Sequence, residues 1–203
     1  MPTITRDTTA SLSFGPQNTL GHIDKIHGLE GFLGAVLLGP IFGSGDPIFY
    51  GRWASRDAAI SASEAGSELG TLVLDTLDVR VKAAPHDGGG VMPIVSDGTV
   101  ALVVRMAVDP DRSEELLAEL TTATDAFLPD FGSVHAVAFH RTPDRRHVVE
   151  YLQASGAVAM ALTQLKPRLR RHMRLVEQIA DTVEPHLCRV LRALEADDAG
   201  TAP

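Results

Sequence analysis

Cysteine is almost missing from this 203-residue sequence: Cys188 stands alone. No internal disulfide can form, and no cluster of thiolates can hold a metal. Aromatic residues make up only 5%, with a single tryptophan (Trp53) and two tyrosines (Tyr50 and Tyr151). Positive charge is also short, with 18 Lys and Arg against 26 Asp and Glu, a formal net charge of −8. A nucleic-acid partner needs a basic surface, and an anionic membrane repels an acidic one. No apolar run approaches the ~18 residues that span a bilayer. The start, "MPTITRDTTASLSF", lacks a basic segment followed by an apolar one, so a cytoplasmic protein is expected. There is no H-E-x-x-H and no G-x-G-x-x-G opening a helix after a strand, so neither a zincin nor a Rossmann cofactor site is expected.

What is present is an ordinary globular composition, 44% apolar and 22% charged, arranged twice over. In the second half "TVALVVRMAVDP" (99–110) is an apolar β-branched strand ending at proline. The helix "DRSEELLAELTTATDAFL" follows, with Asp111 and Glu114 spaced as a capping box and Leu116, Leu120, Ala123 and Phe127 along one face. "SVHAVAFH" (133–140) and "RHVVEYLQA" (146–154) form a hairpin. A long helix then runs from about Ala157 to Val183, bent near Pro167. The first half gives the same order: strand 8–14, helix 16–29, hairpin strands 31–42 and 47–55, helix 56–70 and strand 72–83. Gly31, Ala35 and Val36 align with Gly132, Ala136 and Val137, and Ala54–Ser55 with Ala154–Ser155.

The fold expected is α+β: two tandem ferredoxin-like βαββαβ units packed sheet to sheet as an α+β barrel. The boundaries are 1–84 for the first unit, 85–98 for a Gly/Pro/Asp-rich linker and 99–203 for the second unit with an extended C-terminal helix. Residues 186–196, "HLCRVLRALEA", fit either a strand or a helix; their place opposite 72–83 favours the strand.

Eight histidines are the natural acid–base candidates near neutral pH. His22 and His27 fall on the first helix, His27 toward its buried face. His172 lies on the apolar stripe of the long helix, and His135 shares a strand face with Val137 and Phe139. His140, near the turn, is expected in solvent. Arg105 interrupts an apolar strand and needs a partner: Glu150 if the strands adjoin, or a ligand oxygen. In "IFYGRWAS", alternation puts Trp53 on one face and Tyr50 and Arg52 on the other. One set then faces the helices and the other the barrel interior. Trp53 is either the flat wall of a pocket or ordinary core. The basic run "KPRLRRHMR" (166–174) is a solvated helix face or a seat for a flavin phosphate.

Three stretches carry a family resemblance: "VALVVRMAVDPDRSEELLAEL", "VHAVAFHRTPDRRHVVEYLQASGAV" and "IFYGRWASRDAA". Together, once per half, the chain resembles the antibiotic biosynthesis monooxygenases, the dimeric α+β barrel proteins, in a tandem-duplicated form similar to aromatic-polyketide-tailoring oxygenases. It departs from them at Gln153, where the family usually has Trp, and at Tyr50 and Arg52, where an acidic residue is common. The halves have thus diverged, and one working pocket is expected. The resemblance implies oxidation of an aromatic polyketide or polycyclic phenol or quinol by O2. No metal or tightly bound cofactor is expected, though diffusible reduced flavin from a flavin reductase could take part. The expected base is a histidine (His27, His22 or His172), with Trp53, Tyr50, Tyr151, Arg52, Arg105 and His135 placing the substrate. A non-redox polyketide cyclase and a non-catalytic small-molecule-binding protein are the alternatives, and a homodimer is compatible with either.

Overall fold

The computed structural model describes residues 8–15, 26, 28–42, 45–65, 71–82, 99–158, 160 and 166–195. The first half supplies strands β1 (Thr9–Phe14), β2 (Phe32–Pro40) and β3 (Ile48–Trp53), helix α1 (Arg56–Ala65) and strand β4 (Leu72–Val81). The second supplies β5 (Val100–Ala107), α2 (Ser113–Phe127), β6 (Val134–Arg141), β7 (His147–Ala154), α3 (Pro167–Ile179) and β8 (Thr182–Glu195). Within each half the strands lie in one antiparallel order, β4-β1-β3-β2 and β8-β5-β7-β6. That is the ferredoxin-like arrangement, repeated as expected. β2 then pairs with β8 and β4 with β6, so eight strands close into one barrel with no free edge. The two sheets thus meet along both edges as well as across the interior.

Several local expectations need correction. Residues 182–195 are a strand, as their position favoured, but the preceding helix stops at Ile179 rather than Val183. Pro167 opens α3 instead of bending a longer helix: Lys166 before it is extended, with ψ 130°, as a residue preceding proline prefers. Asp111 forms no capping box. Asp109 caps a 3₁₀ turn (Pro110–Arg112) by accepting from the Asp111 N–H, while Glu114 reaches Arg141 at 2.6 Å. The apolar stripe of α2 is as read, with Leu116, Leu120, Ala123 and Phe127 buried. Apart from Ile26 and residues 28–29, the first helix lies outside the described residues, as do 66–70, the whole linker 85–98, His22 and His27.

Alternation along the strands sorts side chains into three cores. Helices cover the outer face of each half: α1 over the Phe32, Phe49 and Trp53 cluster, α2 and α3 over the larger Val104, Phe127 and Phe139 cluster. The barrel interior is the third, filled by small and branched residues such as Ala10, Val36, Ala101 and Ala138 around two large rings. Tyr50 and Tyr151 stack there with centroids 4.4 Å apart and planes 5° apart. His140 is fully buried beside them, not in solvent. Its Nε2 lies 3.1 Å from the Tyr50 hydroxyl and its Nδ1 3.1 Å from Thr76 Oγ1. The Gln153 amide donates to the Tyr151 hydroxyl at 3.4 Å. Every one of these contacts except the last crosses between the halves.

Gly51 answers for its place beside Trp53. A Cβ there would sit 2.8 Å from Ser11 Oγ and 2.9 Å from the Phe49 ring. Ser11 Oγ accepts the Trp53 indole N–H at 2.9 Å, so the missing side chain lets tryptophan, serine and phenylalanine close over the strand.

Burial lowers the His140 pKa from 6.5 to about 3. The unfolded chain therefore takes up a proton that the folded one refuses, so this contribution is full above pH 6.5 and is lost as pH falls toward 3. Denaturant midpoints measured across that window should fall in the wild type. They should fall less steeply in His140→Gln, which keeps polar contacts but cannot titrate.

Candidate active site

β3 and β7 occupy the same place in the two halves, and their registers fix which residues correspond. Trp53 lies opposite Thr9 and Phe32, and Ala154 opposite Val100 and Val134. Tyr50 therefore corresponds to Tyr151, Arg52 to Gln153, Phe49 to Glu150 and Trp53 to Ala154. The sequence alignment of these hairpins is one residue out. It sets Gln153 against Trp53, whereas Gln153 points into the barrel and Ala154 holds the tryptophan's position.

Those exchanges have a physical consequence. Among the described residues of the first half, Phe49 and Trp53 fill the space between the sheet and α1, with a cavity of about 10 Å³ beside them. In the second half, with Glu150 and Ala154 in their places, a cavity of about 300 Å³ lies between the sheet and helices α2 and α3. That is the lower end of the range for small-molecule pockets. Its wall is mostly apolar, including Leu102, Val104, Phe127 and Phe131. Glu150, Glu177 and His172 supply ionisable groups.

Glu150 is the most informative of these. Alternation turns it away from the Tyr151 interior and toward the helices, with Val148 and Leu152 on the same side. Glu150 is half-buried, and desolvation by its apolar neighbours pushes its carboxyl from 4.5 up to about 7. His172 is buried on α3, with Nδ1 3.0 Å from Glu119 Oε1 and its ring edge-on to Phe127. A carboxylate oxygen accepts, so the hydrogen bond orients the ring with Nδ1 toward Glu119 and leaves Nε2 as the ring's other nitrogen.

Of the expected site residues among those described, His172 alone lies at the cavity. Trp53 is core, packed edge-on to Phe32 at 5.5 Å. Tyr50, Tyr151 and Arg52 are buried in the barrel interior. Both phenols are raised above their ordinary pKa, chiefly by burial, Tyr151 to about 12. His135 does not share the face of Val137. It sits at the bulge between Val134 and Ala136, where alternation breaks, and is exposed. Arg105 pairs with Glu184 on β8, its Nε donating to Oε2 at 2.9 Å, and lies over the Phe14 ring. Glu150 does adjoin it through β7 but stands opposite Val104, on the other face. The signal for Glu150 is present in the sequence: it is the one acidic residue on the helix-facing side of "HVVEYLQA".

A closed α+β barrel of two ferredoxin-like units, hollow beneath the helices of its second half, is the class that fold and geometry define. No family model and no curated protein matches the sequence. Solved structures do match it over nearly its whole length. An anthrone oxidase-like protein superposes with a TM-score of 0.74 at 14% identity, over 97% of this chain and 98% of that one. A Fusobacterium nucleatum protein assigned as a monooxygenase gives 0.65 at 10% identity, over 93% and 94%. A major regulator of staphylococcal pathogenesis gives 0.63 at 9%, over 91% and 99%. At these identities what is shared is the fold, the tandem barrel expected from the sequence.

Ala123 lines the cavity from α2. Ala123→Leu should occupy part of it, raising stability by roughly 1 kcal/mol as cavity filling does, while weakening binding of any polycyclic ligand. Thermal melts and a ligand titration check both halves of that expectation.

Proposed function

We propose that the protein is an oxygenase that uses O2 to oxidise an electron-rich polycyclic phenol or anthrone in the second-half cavity, with Glu150 as general base. The observation that carries this is a half-buried glutamate in the wall of a mostly apolar chamber, whose desolvation raises its carboxyl to about 7. A base poised near the working pH is what proton abstraction requires, and burial is how a glutamate reaches it. The names borne by two structural relatives, anthrone oxidase-like and monooxygenase, agree with the reading.

The chemistry is written for a ring methylene. Ionised Glu150 takes the proton, and the resulting ring anion is electron-rich enough to reduce O2. One oxygen atom remains on carbon as the new carbonyl, and the other leaves as water carrying both methylene hydrogens. One ring methylene and one O2 thus give one ring carbonyl and one water. His172, its ring oriented by Glu119, offers Nε2 to a substrate hydroxyl or to the proton-transfer step that releases water. The apolar walls keep water from quenching the anion. No metal or tightly bound cofactor enters these steps. Reduced flavin supplied from solution is the variant in which the substrate alone does not reduce O2.

Activity should rise with pH as Glu150 loses its proton, with a midpoint near 7, until some other group intervenes. Glu150→Gln should lower the rate of O2 consumption with an anthrone about 10²–10⁴-fold, the usual contribution of a general base. Oxygen-electrode assays from mildly acidic to mildly alkaline pH, with wild type and variant compared under nitrogen and air, check this. Product formation without oxygen would indicate a cyclase, and an unchanged rate in the variant would remove Glu150 from the mechanism.

A further inference from the structure

The basic run at the start of α3 lies at the rim of this cavity. Lys166 Nζ sits 4.7 Å above the Phe131 ring, and the Arg168 guanidinium 5.1 Å above Phe127. Both rings are cavity wall. A third cation, Lys82 at the end of β4, donates from Nζ to the Phe131 carbonyl oxygen at 2.8 Å. Two cations from the start of α3 thus lie over two adjacent rings, whose centroids are 5.7 Å apart, and a third from β4 reaches the backbone of one of them.

All three cations are exposed, and among the described residues none is paired with a carboxylate. Most of the acidic groups around them are otherwise engaged or line the cavity. Asp125 binds Arg80, Glu119 binds His172, Glu150 and Glu177 line the cavity, and Asp130 is exposed in the turn before Phe131. On a protein with net charge −8 this is a local inversion of sign. It sits outside a chamber whose own titratable wall groups are two carboxylates and a histidine. An anion would be repelled inside and attracted at the rim.

We propose that the cavity's ligand is an amphiphile: a neutral polycyclic ring that enters the chamber and an anionic group that stays at the Lys82–Lys166–Arg168 collar. This rests on the reading of the cavity as the substrate site and adds the ligand's charge and orientation. A ring carboxylate and the phosphate of a flavin share the required chemistry, and a binding experiment distinguishes them. Cations held over aromatic faces are partly pre-ordered, so less rotamer freedom is lost when an anion docks.

The test compares two ligand pairs by isothermal titration: anthraquinone-2-carboxylate against 2-methylanthraquinone, and flavin mononucleotide against riboflavin. The expected result is that the charged member of a pair binds about ten-fold tighter at low ionic strength, an advantage that shrinks as salt is raised. Lys166→Gln with Arg168→Gln should erase that advantage while leaving the neutral member's affinity within about two-fold. Arg171→Gln with Arg174→Gln, an equal charge change on the same helix, should retain it. A preference confined to the carboxylate pair identifies an acidic substrate, and one confined to the flavin pair identifies a flavin phosphate. If the neutral rings bind and charge confers nothing in either pair, the collar is refuted while the cavity stands. If no ring binds at all, the inference falls together with the substrate site beneath it. The salt dependence in the wild type serves if the double variant does not fold.

Discussion

The stack of Tyr50 on Tyr151, with His140 bound at the Tyr50 hydroxyl, occupies the middle of the barrel and ties its two halves together. An aromatic pair of this kind contributes roughly 0.5–1.5 kcal/mol beyond its buried area, and a buried hydrogen bond about 1 kcal/mol. The energy is modest, but its placement governs the molecule. Each half supplies one ring, so neither half completes this core alone. With the middle of the interior given over to side chains, the second-half cavity lies outside the barrel, between sheet and helices. The barrel has two such spaces, one per half.

The two spaces show what duplication permits. In the first half, Phe49 and Trp53 make the gap solid core, and Gly51 is shaped to let them close. In the second half, the corresponding positions carry Glu150 and Ala154, and a chamber remains with a carboxyl in its wall. Leaving a cavity and burying an acid both cost stability. A packed half and a hollow half on one chain let the first contribute stability and the second bear the strain of a site. The acidic groups in the wall of a mostly apolar chamber and the cations near its rim extend the same division.

Much of the fold is legible in the sequence because strand alternation and helix spacing are strong signals here. The βαββαβ order, the stripe on α2 and the strand at 182–195 all follow from apolar periodicity and position. Packing of the two sheets into a barrel follows from the same plan, whereas the β2–β8 and β4–β6 pairings that close it are seen only in the structure. The site is less legible, and the reasons are specific. Sparse identity between the halves hides a one-residue offset, which exchanges the roles of Gln153 and Ala154. His140 lies near a turn in sequence, yet the barrel's closure places it in the interior. The bulge at His135 breaks the alternation on which its assignment depends. Histidine is the usual base near neutral pH, whereas here burial gives Glu150 that capacity, and burial depends on helices far away in sequence. Trp53 draws notice as the single tryptophan, but its exchange for alanine in the other half is what matters.

The chemistry of the chamber depends on the ionisation of one side chain. The most direct measurement is a ¹³C NMR titration of the Glu150 side-chain carboxyl carbon, assigned by its absence in Glu150→Gln. The expected midpoint is near 7, shifting upward when a neutral polycyclic ligand fills the chamber and excludes water from it. A midpoint near 4.5, unmoved by ligand, would mean that the carboxylate is solvated. The claim that this cavity houses a general base would then be contradicted.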